Sequence, residues 1–226
     1  MRGRALHRAM QVIPCMLVLC WSGKAFAQNE YPADLLPAAR AEATRFLSAT
    51  PRDFLEKGNY IIKPTDSIAN MTLGEPYRKY RLERNRVLEL DDTDSFKTCL
   101  TFMVWYIPIY FSNEPRTLIA MYNANGIWKF GGMGGDPAPF LEARALWPMS
   151  NGYKISYVKD VGGLDYFMIE RDKDVGLYSF REETEKLLGI RKDASGRFPL
   201  LTIPYVVQKL KTGARPEKGW HVHIRP

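Results

Sequence analysis

Two histidines near the carboxyl terminus have a spacing that could support metal chemistry. His221 and His223 stand two positions apart, and residues i and i+2 of a strand point to the same side. Both imidazoles could reach one divalent metal, with Asp92 and Asp94 of an acidic loop as further ligands. Two histidines fall short of the ligand set of a zinc site. A metal-dependent or other hydrolase using His221, His223 and the acidic loop is therefore the alternative interpretation.

A thiol nucleophile is the second chemistry that the residue types suggest. Cys99 is the one cysteine outside the first 27 residues, and a histidine could serve as its base. It lies at the start of an apolar stretch, however, where buried and inert cysteines are the common case. We expect a buried structural thiol and no intramolecular disulfide.

The glycine-rich run Gly131–Gly135 precedes Asp136-Pro137, which begins a predicted helix. A helix N-terminus after such a run can bind phosphate, but the Gly-Lys-Ser/Thr ending of a P-loop and the spacing of a dinucleotide fingerprint are absent from the sequence. Glycine's backbone freedom explains the run as a turn from strand to helix. The sequence also contains no Gly-x-Ser-x-Gly or His-Glu-x-x-His motif.

Aromatic residues are the remaining candidates for contact with a ligand. Most of them should lie in the core, but tyrosine and tryptophan on an uncovered sheet face would form a contact surface. We predict a non-catalytic protein, without a cofactor, that binds a protein, a peptide or another envelope ligand. The predicted ligand-contacting residues are Trp105, Tyr110, Trp128, Tyr157 and Tyr166.

The first 27 residues have the pattern of a signal peptide. A basic start is followed by the short apolar run Val12–Trp21 and by Ala25-Phe26-Ala27. We expect cleavage after Ala27 and a periplasmic or secreted protein. The apolar run has about half of the roughly 20 residues that a spanning helix needs. No later stretch of the sequence is long enough either, so the mature chain is expected to have no transmembrane segment.

The basic composition belongs mainly to this leader. Its four cations and absence of acidic residues mean that cleavage lowers the formal net charge from +7 to +3. A charge of that size is ordinary for a soluble domain. We therefore do not expect a nucleic-acid partner.

The chain predicts one helix and then a run of strands in its first part. The apolar residues of Leu35–Ser48 fall on one stripe of a helix. The segment Tyr77–Arg84 carries four cations, which suits an edge strand, because charge discourages pairing with another chain. Further strands are predicted at Asn59–Lys63, Val87–Leu90, Thr101–Phe111, Leu118–Tyr122 and Ile127–Phe130.

The second part repeats this order of helix and strands. A helix is predicted from Pro137 to Leu146, because aspartate is a strong N-cap and proline is favoured at the first helical position. Three antiparallel strands are predicted at Tyr153–Val158, Leu164–Glu170 and Val175–Phe180, followed by helices at Arg181–Leu188 and Pro204–Leu210.

Together these elements predict an α+β fold. Strands in antiparallel runs with few helices indicate an antiparallel sheet built from two meanders, with the N-terminal amphipathic helix and a second helix packed on one face. We expect a single domain over residues 28–226. Two intimately packed α-β-β-β halves, at about 33–130 and 137–210, are left open.

Overall fold

Nine strands in one sheet and five helices make up the part of the chain that the structure describes. This computed structural model describes residues 31–57, 60–91, 93–160, 164–183 and 188–212. The strands are β1 Met71–Leu73, β2 Tyr77–Leu82, β3 Leu100–Phe111, β4 Glu114–Ala124, β5 Ile127–Met133, β6 Lys154–Asp160, β7 Asp165–Arg171, β8 Asp174–Ser179 and β9 Leu200–Thr202. The helices are α1 Leu35–Ala49, α2 Arg52–Lys57, α3 Arg84–Leu88, α4 Ala138–Leu146 and α5 Ile203–Thr212. The predicted α+β class with a mainly antiparallel sheet is confirmed.

The strand order is β5-β4-β3-β2-β6-β7-β8-β9, and β1 pairs with β3 beyond the end of β2. Within the described sheet, β2 and β6 form the one parallel pair. Two-residue turns close the hairpins on either side of β4. Their central residues, Ser112-Asn113 and Asn125-Gly126, all have positive φ, as hairpin turns that match the twist of the strands require.

The prediction that Tyr77–Arg84 forms an edge strand is wrong. The strand in this segment, β2, pairs with β3 on one side and with β6 on the other, and is therefore central. Val87–Leu90, also predicted as a strand, instead overlaps α3. Residues 60–63, the described part of another predicted strand, form a loop.

Helices cover the two faces of the sheet unequally. Ile107 of β3 and Ile119 and Met121 of β4 are buried in one core cluster with Leu35 and Ala39 of α1; we call this side the α1 face. On the opposite side, which we call the α4 face, Phe140 of α4 stacks on Tyr77 of β2 with ring centroids 3.9 Å apart. Tyr77 pairs with Tyr106, the neighbour of Ile107, and successive strand residues point to opposite faces.

The expectation that the helices pack on one face is therefore corrected. α4 lies over the strands from β2 to β8, where Trp147 at its end contacts Tyr178. On the α1 face of the same strands, Arg84 of α3 lies 3.9 Å from Asp160, and α5 packs against α3. Among the described residues, no helix is long and apolar enough to cross a membrane.

Candidate ligand-binding face

A continuous run of aromatic rings crosses the α4 face at the centre of the sheet. Ring centroids lie 5.8 Å apart for Tyr77 and Tyr106, 6.1 Å for Tyr106 and Tyr157, and 6.0 Å for Tyr157 and Phe180. Strand pairing explains most of this order, because β3, β2 and β6 are neighbours in the sheet, and Phe180 directly follows β8. We call the run the aromatic belt; its members are Tyr77, Tyr106, Phe140, Tyr157, Phe167 and Phe180.

The belt has a buried floor and a half-buried surface. Tyr77, Phe140 and Phe167 are at most 4% exposed. Tyr106, Tyr157 and Phe180 are half-buried. The belt therefore offers a ligand the faces or edges of three rings on a rigid support.

Lys79 of β2 brings a positive charge to the same place. Its Nζ donates a hydrogen bond of 2.8 Å to the Tyr106 hydroxyl, and lies 4.9 Å from the Tyr106 ring centroid and 5.8 Å from that of Tyr157. Because the contact to the hydroxyl oxygen is short, the hydrogen bond is a stronger interaction than the contacts with the two ring faces. Among the described residues, no carboxylate lies within 4.0 Å of this ammonium.

A buried carboxylate lies at the other side of Tyr157. Asp165 is 3% exposed, and its Oδ2 lies 2.7 Å from Arg181 Nε. Its Oδ1 is buried without a hydrogen-bond partner within the described ranges. Burial raises the pKa of the Tyr157 hydroxyl far above its ordinary value, and the charge and hydrogen bonding of Asp165 raise it further. Tyr157 therefore stays protonated at physiological pH.

The five predicted ligand-contacting residues are not brought together. Tyr157 lies in the belt, whereas Trp105 is 7% exposed beside Arg78 on the α1 face. Trp128 is half-buried against the α1 cluster and its Nε1 is buried. Tyr110 is half-buried, and burial raises its pKa. Tyr166 is fully buried, so it has no surface with which to contact a ligand.

The predicted metal ligands are not placed by the structure. His221, His223 and Asp92 lie outside the described residues. Of Asp94 only the backbone is described, in the 3₁₀ turn Thr93–Cys99. In the described part of the chain, no three His, Cys, Asp or Glu side chains are grouped to hold a metal.

Cys99 is buried, as expected for a structural thiol. It has no exposed surface, and burial raises its pKa. A thiolate is the reactive form of cysteine, so both observations disfavour a nucleophilic role.

Sequence reasoning missed Lys79, Tyr106, Asp165 and Arg181. The signal for Lys79 was present in the four cations of the Tyr77–Arg84 segment. Cations on a strand suit an exposed edge, but this strand is central, and its cations extend over aromatic rings on both faces. Asp165 and Arg181 carry no local signal, because only the fold brings them together.

A cleft of about 200 Å³ lies at the other end of α4. Its walls include Trp147, Tyr153, Val175, Gly176 and Leu200. The Arg171 guanidinium lies 4.9 Å from the Tyr153 ring centroid at its rim. The cleft is a candidate site of second rank, because its charged rim residues are exposed and its walls offer few converging polar groups.

Compared with known proteins, the chain matches no family model, and no curated protein or solved structure is significantly similar to it.

Proposed function

We propose that this is a non-catalytic binding protein of the cell envelope or the extracellular space, which contacts its ligand through the aromatic belt. The observation that carries the proposal is the set of half-buried rings Tyr106, Tyr157 and Phe180 on a buried aromatic floor. Rigid aromatic side chains give large contact areas at low entropic cost, and are the usual anchors of binding surfaces. Export is proposed from the leader pattern of residues 1–27.

In this proposal the belt crosses the junction of two meanders, β3–β5 and β6–β8, which meet through β2. The floor of the belt comes from β2 at that junction, from β7 and from α4. A ligand on the belt would therefore rest on the best-supported part of the sheet. Sites built on strands hold their geometry better than sites on loops.

The chemistry of the belt favours binding over catalysis. A general acid or base works best with a pKa near the operating pH. The pKa of Tyr157 is moved further from neutrality, and the Lys79 ammonium is hydrogen-bonded to a hydroxyl. These groups are suited to hold a ligand in place and poorly suited to exchange protons with it.

The test uses benzamide as a small neutral aromatic probe. Titration of the purified protein, followed by amide chemical shifts, should give saturable shifts at β2, β3 and β6. Phe180→Leu and Tyr157→Leu keep an apolar side chain but remove the ring, and each should weaken binding by about fivefold or more, as expected for anchor residues. Tyr122→Leu, at an exposed ring of β4, is the matched control and should leave binding unchanged.

Shifts that map elsewhere, or that ignore the loss of both belt rings, would contradict the proposal. The rival hydrolase makes a different prediction. It requires a stoichiometric transition metal in the purified protein that disappears in the His221→Ala, His223→Ala double variant. That result, together with hydrolytic activity, would favour the metal-dependent hydrolase over the binding protein.

A further inference from the structure

We infer that the ligand of the aromatic belt carries a carboxylate, held by the Lys79 ammonium and the Tyr106 hydroxyl. The inference rests on the proposed binding function and names the chemical class of ligand for the same site.

The first argument is the position of Lys79 in the sheet. It lies on the central strand β2, between β3 and β6. Lysine in sheets commonly serves to protect an exposed edge, and that explanation does not apply here. The side chain is half-buried, so its ammonium has lost part of its hydration, and this loss is unfavourable unless another group compensates for it.

The second argument is charge balance. Other cations near the belt have acidic partners: Arg181 pairs with Asp165 at 2.7 Å, and Arg144 of α4 pairs with Glu75. Lys79 differs, because its hydrogen-bond partner is the neutral Tyr106 hydroxyl. Within the described residues the belt therefore keeps one uncompensated positive charge, which matches a ligand with one negative charge.

The third argument is the number and arrangement of donors. An ammonium has three hydrogen-bond donors, and Lys79 uses one of them on Tyr106 at 2.8 Å. The Tyr106 hydroxyl accepts that bond, so its own proton remains available to a ligand. Two neighbouring donors suit the two oxygens of a carboxylate. A phosphate dianion would keep one charge unbalanced, and the planar forks of arginine suit it better.

The ring positions define the rest of the ligand. The Tyr106 and Tyr157 rings are inclined by 31°, and Phe180 follows 6.0 Å beyond Tyr157. A flat apolar group attached to the carboxylate would extend from Lys79 across Tyr157 towards Phe180. Aryl carboxylates are the simplest compounds with this pattern.

The experiment compares benzoate with its neutral isostere benzamide on the purified protein, by the same amide-shift titration. Benzoate should bind about tenfold more tightly, which corresponds to roughly 1.4 kcal/mol. Lys79→Met and Lys79→Gln should each remove this preference and bring the two affinities within about threefold of each other. Lys79→Arg, which keeps the charge, should retain most of it. Lys129→Met removes an exposed charge from β5 and is the matched control.

The outcomes separate this inference from the proposed function. Equal affinity for the two probes, with both still dependent on Tyr157 and Phe180, leaves the binding function standing and overturns the carboxylate. If the preference for benzoate survives Lys79→Gln but falls with Lys129→Met, it results from the overall positive charge of the surface and not from Lys79. This outcome also overturns the inference. The same holds if benzoate gives no saturable shifts. Lys79→Gln keeps a polar side chain at this position, so it carries the test if Lys79→Met does not fold.

Discussion

The two halves of the sheet, β6–β8 and β3–β5, differ in how far helices cover their two faces. The strands β6–β8 have α4 on one face and α3 and α5 on the other. Among the described elements, the strands β3–β5 have α1 on one face, while Tyr122 of β4 and Ile127 of β5 remain exposed on the other. The aromatic belt lies at the boundary, where the cover of α4 ends and half-buried rings remain. The proposed binding surface therefore lies where the second layer of the fold is incomplete.

The burial of individual strands shows the same difference between the two halves of the sheet. β7 is buried at five consecutive positions, whereas β5 alternates between exposed and half-buried residues. Tyr122 and Ile127 keep 39% and 59% of their surface exposed on the open side. A strand covered on both faces reads as a continuous apolar run, and a strand covered on one face reads as an alternation. Substitutions in the covered part should therefore cost far more than those in the open part.

The largest effect is expected for the ring that joins α4 to the sheet. Phe140 is 2% exposed and stacks on Tyr77, so Phe140→Ala should lower the free energy of unfolding by about 3–5 kcal/mol. Tyr122→Ala, on the same face but in its open part, should lower it by less than about 1 kcal/mol. Urea unfolding of the two variants measures both values. Similar losses in the two variants would mean that the open part is covered in the folded protein by something else.

A smaller loss of stability is expected when a glycine of the covered strand β8 is replaced by alanine; a glycine of the open strand β5 serves for comparison. A Cβ on Gly176 of β8 would come within 2.6–2.9 Å of three Leu200 side-chain atoms. Leu200 keeps 45% of its surface exposed, so its side chain can move aside, and Gly176→Ala should cost about 1 kcal/mol, the low end of the usual cost of overpacking. A Cβ on Gly131 of β5 would meet its nearest atom at 3.3 Å, so Gly131→Ala should change stability by about 0.5 kcal/mol or less.

The cause of the Gly176 effect can be tested by a double variant. If the collision with Leu200 is responsible, most of the cost should disappear when Gly176→Ala is combined with Leu200→Ala. Chemical unfolding of the single and double variants gives this coupling energy. Additive losses would assign the cost to the β8 backbone instead of to the contact with Leu200.

Local signals predicted much of this fold. The Asn-Gly turn at 125–126 and the apolar run of β3 are readable in any short window of the sequence, and both appear in the structure. The place of β2 was not readable, because its parallel pairing joins Lys79 to Tyr157, far along the chain. Charge on a strand has two explanations, an exposed edge or a functional face, and only the pairing distinguishes them.

The sequence predicts that the candidate site is aromatic, but it does not predict which aromatic residues form it. Aromatic density identified Tyr157, which lies in the belt, and Tyr166, which is fully buried in the next strand. Tyr166 pairs with Val158, the neighbour of Tyr157, so the two tyrosines point to opposite faces. A shift of one residue in the register of β7 would move Tyr166 to the α4 face, and no property of the two side chains themselves predicts which of them is buried.

The smallest predicted effect is a pH dependence of stability. It concerns the contact between α4 and the connection from β1 to β2. Glu75, in the connection from β1 to β2, pairs with Arg144 of α4. Arg144 also donates hydrogen bonds of 3.1 Å and 3.0 Å to the carbonyl oxygens of Trp147 and Tyr153. Burial raises the pKa of Glu75 above its ordinary value of 4.5, and the nearby Arg144 charge only partly opposes this shift.

The sign of the pH dependence follows from that direction. When the folded-state pKa of an acid is raised, the folded protein binds the proton more tightly than the unfolded chain does, so stability falls as pH rises from the unfolded to the folded pKa. Glu75→Gln cannot ionise and should lack this decline. Unfolding free energies of both proteins between about pH 4 and pH 7 should therefore converge or cross in favour of the variant as pH rises. Glu89→Gln, which removes an exposed carboxyl, controls for the change in net charge. If the unsubstituted protein instead gains on the variant with rising pH, the Arg144 charge outweighs burial, and Glu75 stabilises the contact between α4 and the open part as a carboxylate.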